Sequence, residues 1–172
     1  MLKEILIQAI GALGFIFLGL SYHKKDKTHI LIMQIFSYIF FTIHFYLLDG
    51  ITGAICNLIG FVSLITIFIF EKNKWKYKNY ICVLFVAIII GISIVTFQNI
   101  YSVFPMIASS SVIISFLIDN ENVIRGIGLL SAICWLVYAI VYKSYISIAY
   151  EIYTIVNICV ALLKNNNLKK VK

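Results

Sequence analysis

The chain of 172 residues is 62% hydrophobic and 12% charged, with a mean hydropathy of +1.02. Soluble domains are about 45–50% apolar and about 25% charged, so this composition excludes an ordinary water-soluble protein and indicates a polytopic membrane protein. The formal net charge of +7 does not point to nucleic acid, because the basic residues lie in short loops and tails between apolar runs.

A bilayer core of about 30 Å needs about 20 apolar residues per crossing helix. Seven such runs can be drawn, over 2–22, 30–48, 51–70, 80–97, 101–118, 123–142 and 145–163. The first is expected to be a retained helix, since its basic cluster follows the apolar run and no A-x-A site comes after it. Only Gln98, Asn99 and Ile100 separate the fourth run from the fifth, and fusing the two would leave six helices. Charge decides between the two counts. With seven helices, Lys24, Lys25, Lys27, Lys72, Lys74, Lys76, Lys78, Arg125, Lys164, Lys169, Lys170 and Lys172 share one face, leaving only Lys3 and Lys143 of the 14 basic residues on the other. The positive-inside rule then predicts an outer N-terminus and a cytoplasmic C-terminus.

Seven helices divide into a three-helix bundle over 1–72, a linker helix over 79–98, a second bundle over 101–164 and a basic cytoplasmic tail over 165–172. Both bundles enter the membrane in the same direction, which allows a parallel repeat about an axis along the membrane normal. An offset of 94 positions, as from Phe41 to Trp135, pairs the first three segments with the last three without a gap. The same offset pairs Asn57 with Glu151, and each half has its two residues sixteen positions apart. Few paired residues are identical, Ser37 with Ser131 among them, so the repeat is one of hydropathy and loop length.

Polar residues recur at helical spacing within the apolar runs. Gln34, Ser37, Phe41 and His44 share a face of the second segment, and Gly128, Ser131, Trp135 and Tyr138 share one in the sixth. Gly53, Asn57 and Gly60 line up in the third, as do Ser147, Glu151 and Thr154 in the seventh. The first segment adds Gln8 and Gly11, and the fifth adds Ser102, Pro105 and Ser109. Small and hydroxyl residues are common where membrane helices pack closely, which accounts for Ser37, Ser131, Gly53 and Gly60 without a solute. His44 alone fits an interhelical hydrogen bond.

Glu151 is the one acidic residue in the interior of an apolar run. A charge at the centre of an inserting helix costs roughly 2.5–3.5 kcal/mol, and membrane carboxyls commonly mark solute or proton paths. Its nearness to Lys143 also allows water to reach it from outside. No basic residue of its own helix faces it, and Asn57 at the equivalent place cannot titrate, so proton coupling would belong to one half only. Pro105 is the single proline of the chain. Inside a helix it would remove a backbone bond and leave a bend, serving either as a hinge or as a kink that shapes packing.

Enzyme chemistry is not indicated: no Walker loop, G-x-S-x-G or H-E-x-x-H motif occurs. Cys56, Cys82, Cys134 and Cys159 all lie in apolar runs without a C-x-x-C pair, and such cysteines behave as small hydrophobes. Neither a metal nor a cofactor is expected.

The 3+1+3 plan resembles that of the SWEET and SemiSWEET sugar transporters and the wider PQ-loop superfamily. A Trp on the second helix of a repeat and an Asn on the third line the solute cavity there. The resemblance assigns these roles to Trp135 and Asn57, with Phe41 and Glu151 in the complementary places. It also implies that the third helix of each bundle lies between the first and the second. The Pro-Gln motif is missing, and of the four hinge prolines only Pro105 has a counterpart. HFYLLDG (His44–Gly50) and ICWLVYAIVYKSYISIAYE (Ile133–Glu151) are similar to two hairpin signatures of the YgjV-type bacterial inner membrane family, over nearly the whole chain.

The expectation is thus an all-α, multi-pass protein of a bacterial cytoplasmic membrane, a carrier or facilitator for a sugar or other small polar metabolite by alternating access. Phe41 and Trp135 would stack on the solute, with hydrogen bonds from His44, Asn57, Tyr138 and Glu151. Gln8, Ser37, Ser109 and Ser131 would form a secondary pocket. The alternatives are a vitamin or nucleoside carrier of the nicotinamide riboside type, and a non-transporting scaffold or sensor. Partners are the lipid bilayer and a small solute. Both repeats in one chain permit a monomer, and a homo-oligomer stays open.

Overall fold

The computed structural model describes residues 2–22, 27–118 and 120–170. Among them are seven α-helices, one 3-10 turn and no strand: α1 (Leu2–Tyr22), α2 (Lys27–Leu47), α3 (Ile51–Lys72), α4 (Lys78–Val95), the 3-10 turn Ile100–Ser102, α5 (Val103–Ser115), α6 (Glu121–Val141) and α7 (Tyr145–Lys170). Five carry apolar stretches long enough to cross a bilayer, in α1, α3, α4, α6 and α7, while α2 and α5 carry the shorter stretches Ile32–Leu47 and Ile100–Ser115. Lys24 and Lys25 of the first basic loop lie outside the described residues.

The boundary that the charge distribution favoured, between the fourth and fifth segments, is a break in the helix. The Thr96 amide closes α4 on the Ile92 carbonyl at 2.8 Å, and the Asn99 side chain then accepts from the Tyr101 amide to start the 3-10 turn. Pro105 comes three residues into α5, in the first turn, where helix amides have no intrahelical acceptor. Its ring therefore fits a helix start, and the mid-helix bend expected from the sequence does not arise. The chain differs from expectation again at its end, since α7 continues as helix to Lys170 through much of the stretch read as a tail.

Each of α2, α3 and α6 ends in the same way. Asp49, Lys74 and Lys143 take left-handed backbone, with φ of 60°, 53° and 53°. The amides of Gly50, Trp75 and Ser144 then reach back to the carbonyls of Phe45, Phe70 and Ala139 at 2.9, 3.0 and 2.9 Å. This is the Schellman ending, for which glycine is the favoured left-handed residue. The turn between α2 and α3 and that between α6 and α7 share four backbone bonds at the 94 offset. Asp49 to Tyr46 matches Lys143 to Ile140, and Ala54 to Gly50 matches Ile148 to Ser144.

These two turns, the start of α1, the end of α4 and the start of α5 gather at one end of the bundle. Gln8 of α1 donates to the Lys143 carbonyl at 2.9 Å and accepts from the Ile146 amide at 3.4 Å. Gln98 does the corresponding work on the other turn, donating to the Asp49 carbonyl at 2.9 Å and accepting from the Ile51 amide at 3.1 Å. Thr52 adds a bond to the Thr96 carbonyl at 2.7 Å. Hence α1, α3, α5 and α7 all start at this turn end, and the basic loops between α3 and α4 and between α5 and α6 lie at the other.

Side by side, α1 packs on α2, α2 on α3, α3 on α5, α5 on α6, α6 on α7 and α7 on α1, so six helices close a ring. The fourth helix stands outside it against α3 and α5, where Cys82 and Ile89 are buried with Cys56, Ile59, Ile67 and Ile113. Within each half the second helix is the middle one, not the third as the SWEET resemblance implied. Glycines of α1 explain the close α1–α2 contact: a side chain at Gly11 would meet the His44 ring at 2.8 Å, and one at Gly14 would meet Phe40 and Phe41 at 3.3 Å.

Large hydrophobic side chains are exposed along the outside of the bundle, among them Leu6, Leu13, Val83, Ile90, Leu130 and Val156. Exposed Tyr46, Tyr101 and Tyr145 band the turn end, and exposed Trp75, Tyr77 and Tyr80 band the basic end. Aromatic belts of this kind sit at the two membrane–water interfaces, with the apolar outer surface between them facing lipid.

Candidate solute cavity

The ring of six helices surrounds a cavity of about 410 Å³. Its walls come from α1, α2, α3, α5, α6 and α7, and α4 contributes nothing. Seven pairs of lining residues are related by the 94 offset: Leu18 and Val112, Gln34 and Gly128, Ser37 and Ser131, Tyr38 and Ala132, Phe41 and Trp135, Asn57 and Glu151, Leu64 and Ile158. Residues far apart in the chain thus face one space from opposite walls.

Phe41, Asn57, Trp135 and Glu151 line this one cavity, and so do Ser37 and Ser131, which the sequence had assigned to a secondary pocket with Gln8 and Ser109. Ser109 lines a smaller pocket of about 40 Å³ that shares Tyr38, Asn57 and Trp135 with the main cavity. Gln8, His44, Tyr138 and Pro105 line neither.

Helix geometry accounts for the chemistry of the α7 wall. Ser147, Glu151 and Thr154 fall at i, i+4 and i+7, one above another on a single face, and all three line the cavity. Glu151 is 8% exposed and has no hydrogen-bond or ion-pair partner among the described residues. The Ser147 hydroxyl is buried and likewise unpartnered. Across the cavity, Asn57 donates through Nδ2 to the Gly53 carbonyl at 3.0 Å, which leaves its own carbonyl oxygen as an acceptor.

The turn end of the cavity is closed by aromatic rings. Phe45 packs against Trp135 and Tyr138 with ring centres 5.5 and 5.4 Å apart, and Tyr138 against Tyr142 at 4.5 Å. Below these rings lies a layer of hydrogen bonds. His44 Nδ1 stands 2.8 Å from the Ile7 carbonyl and Nε2 stands 2.6 Å from the Ser144 hydroxyl. The Tyr138 hydroxyl accepts from the Gly53 amide at 3.0 Å, a first-turn amide of α3 with no acceptor in its own helix. Gly53 is required for this approach, because a Cβ there would lie 2.3 Å from the Tyr138 ring. In the other direction the lining reaches Leu18, Gln34, Phe116 and Ile158, toward the end that carries the basic loops.

The sequence reading did not find Phe45, Tyr38 and Tyr150. Tyr150 packs against both Phe41 and Phe15, at 6.1 and 5.5 Å. A signal was available: Tyr150 stands three positions after Ser147 and Tyr38 three before Phe41, within reach of the polar faces already drawn.

A family model described as Imp-YgjV, bacterial inner membrane protein, matches residues 5–169. No curated protein and no solved structure matches the chain.

Proposed function

The chain belongs to the Imp-YgjV family of bacterial inner membrane proteins, and from that premise we propose that it is a small-solute carrier that works by alternating access. The observation that carries this reading is the cavity itself. It is walled by seven residue pairs 94 positions apart, shut at the turn end by aromatic rings and hydrogen bonds, and lined toward the other end as far as Leu18, Gln34, Phe116 and Ile158. A site near the midplane between two like halves, with a breakable layer on one side, is what rocking one half against the other requires. The matched turn bonds and the closed ring of contacts support a 3+1+3 parallel repeat related to the SWEET and PQ-loop plan, with the middle-helix order as its own variant. The positive-inside rule puts the basic end in the cytoplasm and the N-terminus outside, so the closed turn end would be the outer one. Phe41 and Trp135 would hold the solute between them while Asn57 and Glu151 bond its polar groups. His44 and Tyr138 would act instead on the outer closure. No catalytic step is assigned.

Accessibility tests this without knowing the solute. In a variant lacking the four cysteines, Ser37→Cys or Ser131→Cys should react with a membrane-impermeant maleimide in inverted vesicles. The same variants should also react, more slowly, in right-side-out vesicles. Reaction from the cytoplasmic side alone, unchanged when the His44 bonds are removed, would make the cavity a blind pocket and favour a scaffold.

A further inference from the structure

Charge is distributed in the cavity on one side only. Of the nineteen residues that line it, Glu151 is acidic and none is Lys, Arg or His. A buried carboxylate is tolerated when it is paired, and the described residues supply Glu151 with no partner. One turn earlier on the same face, the Ser147 hydroxyl is also buried without a partner. Opposite, Asn57 has committed an N–H to Gly53 and keeps an acceptor oxygen. Around these groups stand the rings of Phe41, Trp135 and Tyr150. Aromatic faces attract cations through the ring quadrupole, more strongly when the cation is desolvated.

We propose that the cavity takes a small organic cation of the ammonium class, its charge met by Glu151 and its hydrocarbon surface by Phe41, Trp135 and Tyr150. A neutral polyol could donate hydroxyl hydrogen bonds to the carboxylate but would leave its charge uncompensated. An anionic solute would face Glu151 with no cation to offset the repulsion. This deepens the carrier reading and rests on it for the cavity's purpose, while making a claim about ligand charge that the accessibility test does not touch.

Two probes of nearly the same shape separate charge from fit: choline and its uncharged isostere 3,3-dimethylbutan-1-ol. The chain has two tryptophans, and in full-length Trp75→Phe protein the remaining one, Trp135, reports from the cavity wall. Choline should change Trp135 emission saturably, and the isostere should need at least a tenfold higher concentration. Glu151→Gln should reduce that preference to about twofold or less, whereas Glu151→Asp should keep most of it, with similar unfolding midpoints for both. Equal response to the two probes, a preference that survives in Glu151→Gln, or no response to choline would overturn the proposal. Two-sided labelling of Ser131→Cys alongside any of these results would leave the carrier standing with a neutral solute.

Discussion

The His44 imidazole joins two halves of the chain, with Nδ1 2.8 Å from the Ile7 carbonyl and Nε2 2.6 Å from the Ser144 hydroxyl. A carbonyl can only accept, so Nδ1 carries the hydrogen and, in the neutral ring, Nε2 accepts from Ser144. The ring is fully buried, and leaving a buried polar partner unpaired costs about 1–3 kcal/mol. His44→Ala should therefore weaken the closed turn end. Labelling of Ser131→Cys from outside is expected to rise several-fold, and an unchanged rate would remove His44 from the closure.

Gly53 and Tyr138 make a second contact across the same layer. Forcing extra carbon into a packed site typically costs about 1–3 kcal/mol, and a Cβ at Gly53 would meet the Tyr138 ring at 2.3 Å. Gly53→Ala should lower the unfolding temperature, and adding Tyr138→Leu should recover part of the loss. Gly126→Ala, where nothing lies within 4 Å of the new carbon, should keep or raise the unfolding temperature and serves as the control without a clash.

Lys143 holds a left-handed backbone at φ 53°, which costs a residue with a Cβ roughly 1–2 kcal/mol relative to glycine. Lys143→Gly is expected to raise thermal stability, and Lys143→Val to lower it, because β-branching is poorly accommodated there. Equal stability of the two variants would contradict the backbone of the α6–α7 turn.

Topology has a direct chemical readout. Asp49 and Lys143 are exposed at the turn end and Lys76 is exposed at the basic end. In a cysteine-free chain, Asp49→Cys and Lys143→Cys should react with an impermeant thiol reagent on intact cells, and Lys76→Cys should not. Ser144, 0% exposed, is a poor labelling site although the sequence places it in the same turn. Reaction of all three from one side would exclude seven crossings.

Glu151 and Trp135 should differ in how they respond to pH. Of the Asn57–Glu151 pair only the carboxyl titrates, so Glu151→Gln is expected to flatten any pH dependence of uptake while preserving the fold. Trp135→Ala, which removes ring surface instead of a titrating group, should weaken binding at every pH. Uptake by Glu151→Gln with an unaltered pH profile would reduce Glu151 to a fixed hydrogen-bonding group.

Much of this arrangement was legible in the sequence, and the parts that were not share a cause. The 94-residue offset and the family resemblance placed Phe41, Asn57, Trp135 and Glu151 together, while helical periodicity reported which residues share a face of each helix. The same logic put His44 and Tyr138 on the cavity faces, yet both lie past the floor, against the turn end. Periodicity fixes the angle around a helix and says little about depth along the neighbouring helix. Gln98 was read only as part of a short connection, since its role depends on carbonyls and amides of a turn 49 and 47 positions away. The helix order within each half was likewise hidden, because it turns on whether glycines such as Gly11 and Gly14 lie under particular rings.

The exchange of caps between halves bears on how the protein is made. The α2–α3 turn is completed by Gln98 and Tyr138, and the α6–α7 turn by Gln8. A chain emerging from the ribosome therefore carries its first hairpin into the membrane with amides at Ile51 and Gly53 still waiting for acceptors. Gln98 supplies the first after the fourth helix, and Tyr138 reaches the second only when the sixth helix has been synthesised, so the early half matures late, and its final shape is set by the arrival of the other.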